Sequence, residues 1–291
     1  MKNKVKTMEL IVHGIFLILG LITVAAVLLI SVYLIISGIP AIKEIGFFEF
    51  MFGKEWIPTM SEPKFGILPF ILTSVYGTAG AILLGTPIGF FTALYLAKMA
   101  SPKVKRIVSA AVSLLAGIPS VVYGLVGMLV LVPAIRMFFD IPDGASLLAA
   151  IIVLSIMVLP SIIKVSLTAL EAVPKEFEEG SLALGATPVE TYFKVSVPAA
   201  KSGIATAIVL GVGRAIGEAM AVIMVSGNVA NMPSLFESVR FLTTAVSSEM
   251  SYATAGSLHQ QALFSIALVL FVFIMLINAT LNFFLKRQKE E

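Results

Sequence analysis

Two charged side chains interrupt the apolar run from Ile204 to Gly227: Arg214 and Glu218, in the stretch GRAIGEAM at residues 213–220. A charge at the centre of a membrane helix costs about 2.5–3.5 kcal/mol on insertion scales, so such residues persist where they pair or line a pathway. On one continuous helix they sit at i and i+4 on one face, about 6 Å apart at Cβ, close enough to pair. Two chemistries are open. A structural ion pair would mask each charge with the other. A translocation pathway would use the guanidinium, whose permanent charge and fork of donors suit the oxygens of an oxyanion. The carboxylate would then hold the arginine and weaken its grip, because a site that binds too tightly cannot release. Ser226 and Asn228 are further polar candidates on the same run.

The composition places these charges in a membrane protein. Of 291 residues, 58% are hydrophobic and 13% charged, where a soluble domain carries about 25% charged residues. Mean hydropathy is +1.03. The net charge of +3 is scattered and argues against a nucleic-acid partner. Without cysteine, disulfides and thiolate or zinc–thiolate sites are excluded. The opening apolar stretch, Leu10 to Ile39, is far longer than the roughly 7–15 residues of a signal-peptide core and lacks a small-residue cleavage site. It reads as a retained first span. His13 and His259 have no ligand spacing, and each is expected to find a partner inside the bundle. The thirteen methionines read as packing fillers.

Six runs approach or exceed the roughly 20 residues that cross a hydrocarbon core: 10–37, 67–97, 107–133, 147–169, 204–227 and 261–285. The expected class is therefore all-α, a polytopic membrane protein with six transmembrane helices. With the N-terminus inside, the inner segments hold fourteen basic residues and the outer ones five, which predicts both termini on the cytoplasmic side. The expected organisation is a tail and first helix over 1–39, an outer segment over 40–66, a core over 67–285 and a tail over 286–291. The second span carries Gly77, Gly80, Gly85 and Gly89, which read as close helix packing. The third is broken early at AGIPSVVYG, where Pro119 lacks an N–H and Gly117 and Gly124 flank it. A broken helix at membrane depth needs protein or a watery cavity to satisfy its backbone, so 117–124 lies at a pathway or a helix crossing.

Two outer segments are long enough to fold. Residues 40–66 hold the only tryptophan, Trp56, and read as an aromatic lid; residues 228–258 are polar with short amphipathic pieces. Partner docking is open for both. The inner segment EAVPKEFEEGSLALGATPVETYFKVSVPAAKSG, 171–203, reads as two short helices, with Thr187-Pro188 as the start of the second. Its five glutamates argue against acidic headgroups as its target and favour a protein partner.

Glu179-Gly180-Ser181, three residues, Gly185, nine residues and Val195-x-Val197-Pro198 resemble the EAA motif of ABC importer permeases, with Gly180 and Ser181 in place of two alanines. Segments 65–78 (FGILPFILTSVYGT), 117–133 (GIPSVVYGLVGMLVLVP) and 213–228 (GRAIGEAMAVIMVSGN) are together similar to the PstC type of permease from phosphate-specific ABC importers. This resemblance covers about residues 45–285 and implies a type I ABC importer permease fold in a prokaryotic plasma membrane. It implies that Glu179, Gly180, Ser181, Gly185 and Pro198 belong to a coupling helix that docks on the ATPase, and that Arg214 and Glu218 lie on the substrate pathway. The implied partners are a second, PstA-like permease, a PstB-like ATP-binding dimer, a PstS-like extracytoplasmic phosphate-binding protein and membrane lipid. No G-x-x-x-x-G-K-[ST] occurs, so the chain is expected to bind no cofactor and to leave ATP to its partner. A permease for molybdate, tungstate or sulfate, the sister PstA type and a secondary anion transporter are the alternatives. The last should show two repeated halves, and no internal repeat is evident.

Overall fold

A computed structural model describes residues 2–290. The side chains of 1–7, 10, 281–282 and 284–291 lie outside the description, and with them the basic residues at 2, 4, 6, 286, 287 and 289. Helix α1 (Lys2–Ile45) runs through Pro40, six residues past the boundary expected at 39. A short helix α2 (Phe47–Phe52) and a hairpin of β1 (Trp56–Ile57) and β2 (Lys64–Phe65) lead into α3 (Leu68–Lys98). Next come α4 (Pro102–Gly117), α5 (Ser120–Val126), a π-helical turn (Gly127–Leu131) and α6 (Val132–Phe139). The central α7 (Leu147–Glu171) precedes α8 (Lys175–Ala183), α9 (Pro188–Thr191), a second π turn (Tyr192–Ser196) and α10 (Val197–Ala199). The chain ends with α11 (Lys201–Gly217), α12 (Met220–Val225), α13 (Leu242–Glu249) and α14 (Leu258–Glu290).

Among the described residues, five helices are long and apolar enough to cross a membrane, and six if the pair Pro188–Ala199 and Lys201–Gly217, bent by 70°, counts as one span. The protein is an all-α polytopic membrane protein. Its core is the α3–α7 pair with α11 alongside. The four glycines of α3 do what their small size allows: a Cβ at Gly77, Gly80, Gly85 or Gly89 would lie 2.4–2.8 Å from Phe241, Ile151, Val158 or Ile162. In lipid, where hydrophobic force between helices is weak, such close approach supplies the packing. By contrast α1 is bare along Ile11–Ile30 and joins the bundle only near its second end. There Tyr33 meets Phe264 edge-on at 5.5 Å, and the Ser265 hydroxyl donates to the Gly38 carbonyl at 2.5 Å.

Two of the expected spans are not single helices. The third divides between α4 and α5 at Ile118–Pro119, both extended, as the missing proline N–H requires. The fifth, expected as one helix over 204–227, stops at Gly217. Glu218 is extended (φ −75°, ψ 127°) and α12 starts afresh at Met220.

The ends of α7 define two ends of the molecule. At the lid end, beside Ser146, the 40–66 segment buries Trp56 and Phe65 against Phe70 of α3 and Leu242, Leu263 and Ile266, so the segment is a lid on the bundle. At the loop end, Lys105 pairs with Glu171 and the 171–203 segment folds beside them.

Candidate functional site

The two interrupted helices meet. A Cβ on Gly124 of α5 would stand 2.9 Å from the Ala221 Cα and 3.0 Å from its carbonyl oxygen on α12. One turn on, a Cβ at Gly127 would meet Val225 and Val153. The half-helices that follow the two breaks are thus in backbone contact. Gly124→Ala must wedge them apart, and overpacking of this kind costs about 1–3 kcal/mol. Thermal unfolding of the purified protein should shift down for Gly124→Ala and stay put for Gly117→Ala, where an added Cβ meets nothing within 4 Å.

Arg214 and Glu218 flank the second break and do not share a helix face. The expected i, i+4 pair fails because the helix ends between them: the Glu218 carboxylate turns forward and accepts the Ala221 N–H at 3.0 Å, which caps α12. Its carbonyl accepts the Thr243 hydroxyl at 2.8 Å. Arg214, half-buried in the last turn of α11, forms no hydrogen bond or ion pair among the described residues. It lies within electrostatic reach of Tyr123, whose hydroxyl donates to the Leu115 carbonyl at 2.7 Å and so bridges the first break. A guanidinium inside an apolar bundle, beside two helix breaks and without a protein anion, is free to meet an anion from outside the chain. The other polar candidates stay separate: Ser226 Oγ and Asn228 Oδ1, at the far end of α12, are buried without a partner among the described residues.

At the loop end, α8 begins at Lys175, with Glu176 and Glu178 in its first turn where the helix dipole favours negative charge. Thr187 and Glu190 form the capping box that starts α9. Gly185 lies between α8 and α9 at φ +87° with open space where a Cβ would go, so a left-handed turn, and not close approach, demands glycine there. Of the motif residues, Ser181 reaches inward, sharing a hydrogen bond of 2.9 Å with Thr191. Glu179, Gly180 and Pro198 face outward. Sequence reasoning missed Glu178, which fastens α8 to the bundle through Lys98 and the Ser196 hydroxyl (2.8 Å). Its neighbour Glu179 carried the motif, and nothing local distinguishes the two. Around the loop Phe177, Leu182, Leu184, Val189 and Phe193 are exposed, Leu184 to 91%. Exposed apolar side chains gathered in this way mark a surface that meets a protein partner or the membrane.

His259 finds the partner expected of it, Glu249, at 2.8 Å; His13 has none among the described residues. Among those residues no cluster of three or more potential metal ligands occurs.

The chain is similar to a probable ABC transporter permease protein, YqgH, of Bacillus subtilis, at 42% identity over 89% of this chain and 86% of the relative. It is 34% identical to the phosphate transport system permease proteins PstC of Haemophilus influenzae (89% of this chain, 86% of the relative) and Mesorhizobium japonicum (82% and 79%). In fold it resembles a chain of the inward-facing MetNI methionine ABC transporter, with a TM-score of 0.59 at 20% identity over 76% of this chain and 97% of the other. Residues 85–290 match the family model described as the binding-protein-dependent transport system inner membrane component. The chain, with its broken spans and its motif-bearing loop, belongs to that family of permease subunits.

Proposed function

We propose that this chain is the PstC-type permease of an ABC importer for inorganic phosphate, with Arg214 as an oxyanion contact on the pathway. The observation that carries it is the Arg214 guanidinium, unpaired among the described residues, beside the contact of α5 with α12. The relatives named for phosphate transport support the substrate. Arginine suits it because its planar fork can give two parallel hydrogen bonds to one tetrahedral ion. Glu218 acts as the cap that ends one helix and starts the next, holding the break open beside the arginine. The second permease is PstA-like, the ATPase PstB-like and the binding protein PstS-like. The loop of Glu179, Gly180, Ser181, Gly185 and Pro198 meets the ATPase, which uses the ATP; this chain binds no cofactor. Deleting the chain should abolish high-affinity uptake of labelled phosphate and leave sulfate and molybdate uptake intact. Loss of sulfate or molybdate uptake in its place would overturn the assignment.

Both termini are placed in the cytoplasm, from the basic asymmetry of fourteen to five. Reporter fusions at residues 60 and 245 should then read outside, and fusions at 102 and 185 inside. An inside reading at 60 would reverse the topology.

A further inference from the structure

The lid end holds a charged cluster that the pathway reading does not use. Glu249, the last residue of α13, accepts the Trp56 indole N–H at 2.9 Å and the His259 Nε2–H at 2.8 Å on one oxygen; its other oxygen pairs with Arg240. The side chains of Arg240, His259 and Glu249 are only 16–17% exposed, and Trp56 is 6% exposed. Four separate places in the chain therefore converge on one carboxylate: the hairpin, the link before α13, the end of α13 and the start of α14.

What the cluster holds is α13, and α13 holds α12. In front of α12, Thr243 donates its hydroxyl to the Glu218 carbonyl at 2.8 Å. Behind it, Arg240 donates from Nε and Nη2 to the Asn228 carbonyl at 3.0 and 2.7 Å. The Leu242 N–H donates to Ser74 Oγ at 3.0 Å, which ties the same helix to α3. Both flanks of the short helix that follows the break are thus fixed from α13 and the link just before it. Burying a carboxylate and a guanidinium adds little net stability over a well-packed apolar cluster; what directional charge pairs add is registry.

We propose that Glu249 is a positioning residue for transport: through Trp56, Arg240 and His259 it sets α13, and α13 sets where α12 and the Glu218 break sit. The inference concerns α12 and is separable from the role of Arg214. If Arg214→Ala proves silent, the oxyanion contact falls, while the coupling between Glu249 and Thr243 is still measured independently. Parental uptake of phosphate is the control for the substrate itself.

The test is a double-mutant cycle in cells carrying the complete importer. Labelled phosphate uptake is measured as Vmax and KM and normalised to the amount of this chain in the membrane. Glu249→Gln and Thr243→Val are each expected to lower Vmax about tenfold, the worth of one hydrogen bond to a charged or buried group, without moving KM. Thr243→Ser, which keeps the hydroxyl, should restore parental rates. The double variant should be no slower than the slower single, because both act through α13. A parental Vmax for either single variant, or losses that multiply in the double, would overturn the proposal. Should Glu249→Gln fail to accumulate, Trp56→Phe replaces it, since it keeps a ring and removes only the indole donor. A drop of about threefold that does not multiply with Thr243→Val is then expected, and a parental or multiplied result again overturns it.

Discussion

Arg214→Ala is expected to reduce phosphate uptake to background while the protein still reaches the membrane at close to its normal level. The size of the effect follows from what the side chain is proposed to do. Two charge-assisted hydrogen bonds to a phosphate oxygen pair contribute about 1.5–3 kcal/mol each, so losing both slows passage at least about a hundredfold. Abundance should be spared because Arg214 supports no other side chain: among the described residues it has no hydrogen-bond or ion-pair partner to leave stranded. Arg214→Lys should also transport poorly, since an ammonium is a point charge without the fork. Glu218 makes a different demand. Glu218→Gln keeps a carbonyl oxygen for the Ala221 N–H and should retain more uptake than Glu218→Ala, which removes the cap. The charge swap, Arg214→Glu with Glu218→Arg, puts a donor where the Ala221 N–H needs an acceptor and should stay inactive. Uptake and abundance measured on the same vesicles decide the matter. Normal uptake by Arg214→Ala, or full uptake by the swapped protein, would remove the pathway role.

The second large effect is expected at Gly185. With φ at +87° and open space beside it, the position punishes a side chain through the backbone and not through a clash. An L-residue forced into the left-handed region costs about 1–2 kcal/mol, asparagine least and β-branched residues most. Uptake should therefore fall in the order Gly, Asn, Ala, Val at residue 185. Gly185→Trp, which adds bulk on the exposed loop surface as well as strain, should abolish transport-linked ATP hydrolysis while membrane insertion proceeds. A Gly185→Trp protein that assembled and coupled normally would remove the docking role from α8. A flat series from Asn to Val would show that the turn is dispensable.

What could be read from the chain alone is what depends on near neighbours in sequence. Apolar runs long enough to span are a local property, and so is the break at Pro119, because the missing N–H belongs to that residue whatever surrounds it. The capping box of Thr187 and Glu190 spans four residues, and the left-handed turn needs only Gly185. The loop motif was legible for the same reason.

The second break was not legible. Nothing at Glu218 forbids a helix, and the local expectation was an i, i+4 ion pair with Arg214. Tertiary structure ends the helix there by offering the Glu218 carbonyl a donor, Thr243, that lies 25 residues away, while the carboxylate turns to cap α12. That one rearrangement leaves Arg214 without a hydrogen-bond or ion-pair partner among the described residues. The Glu249 cluster is nonlocal in the same way: Trp56 and Glu249 are 193 residues apart, and no periodicity links them. A buried polar group must be satisfied by whatever donor or acceptor packing brings to it. Sequence therefore determined that the chain folds as long apolar helices and that Pro119 breaks one of them, while only the packed bundle decided where the other break falls and which charge is held among the described residues.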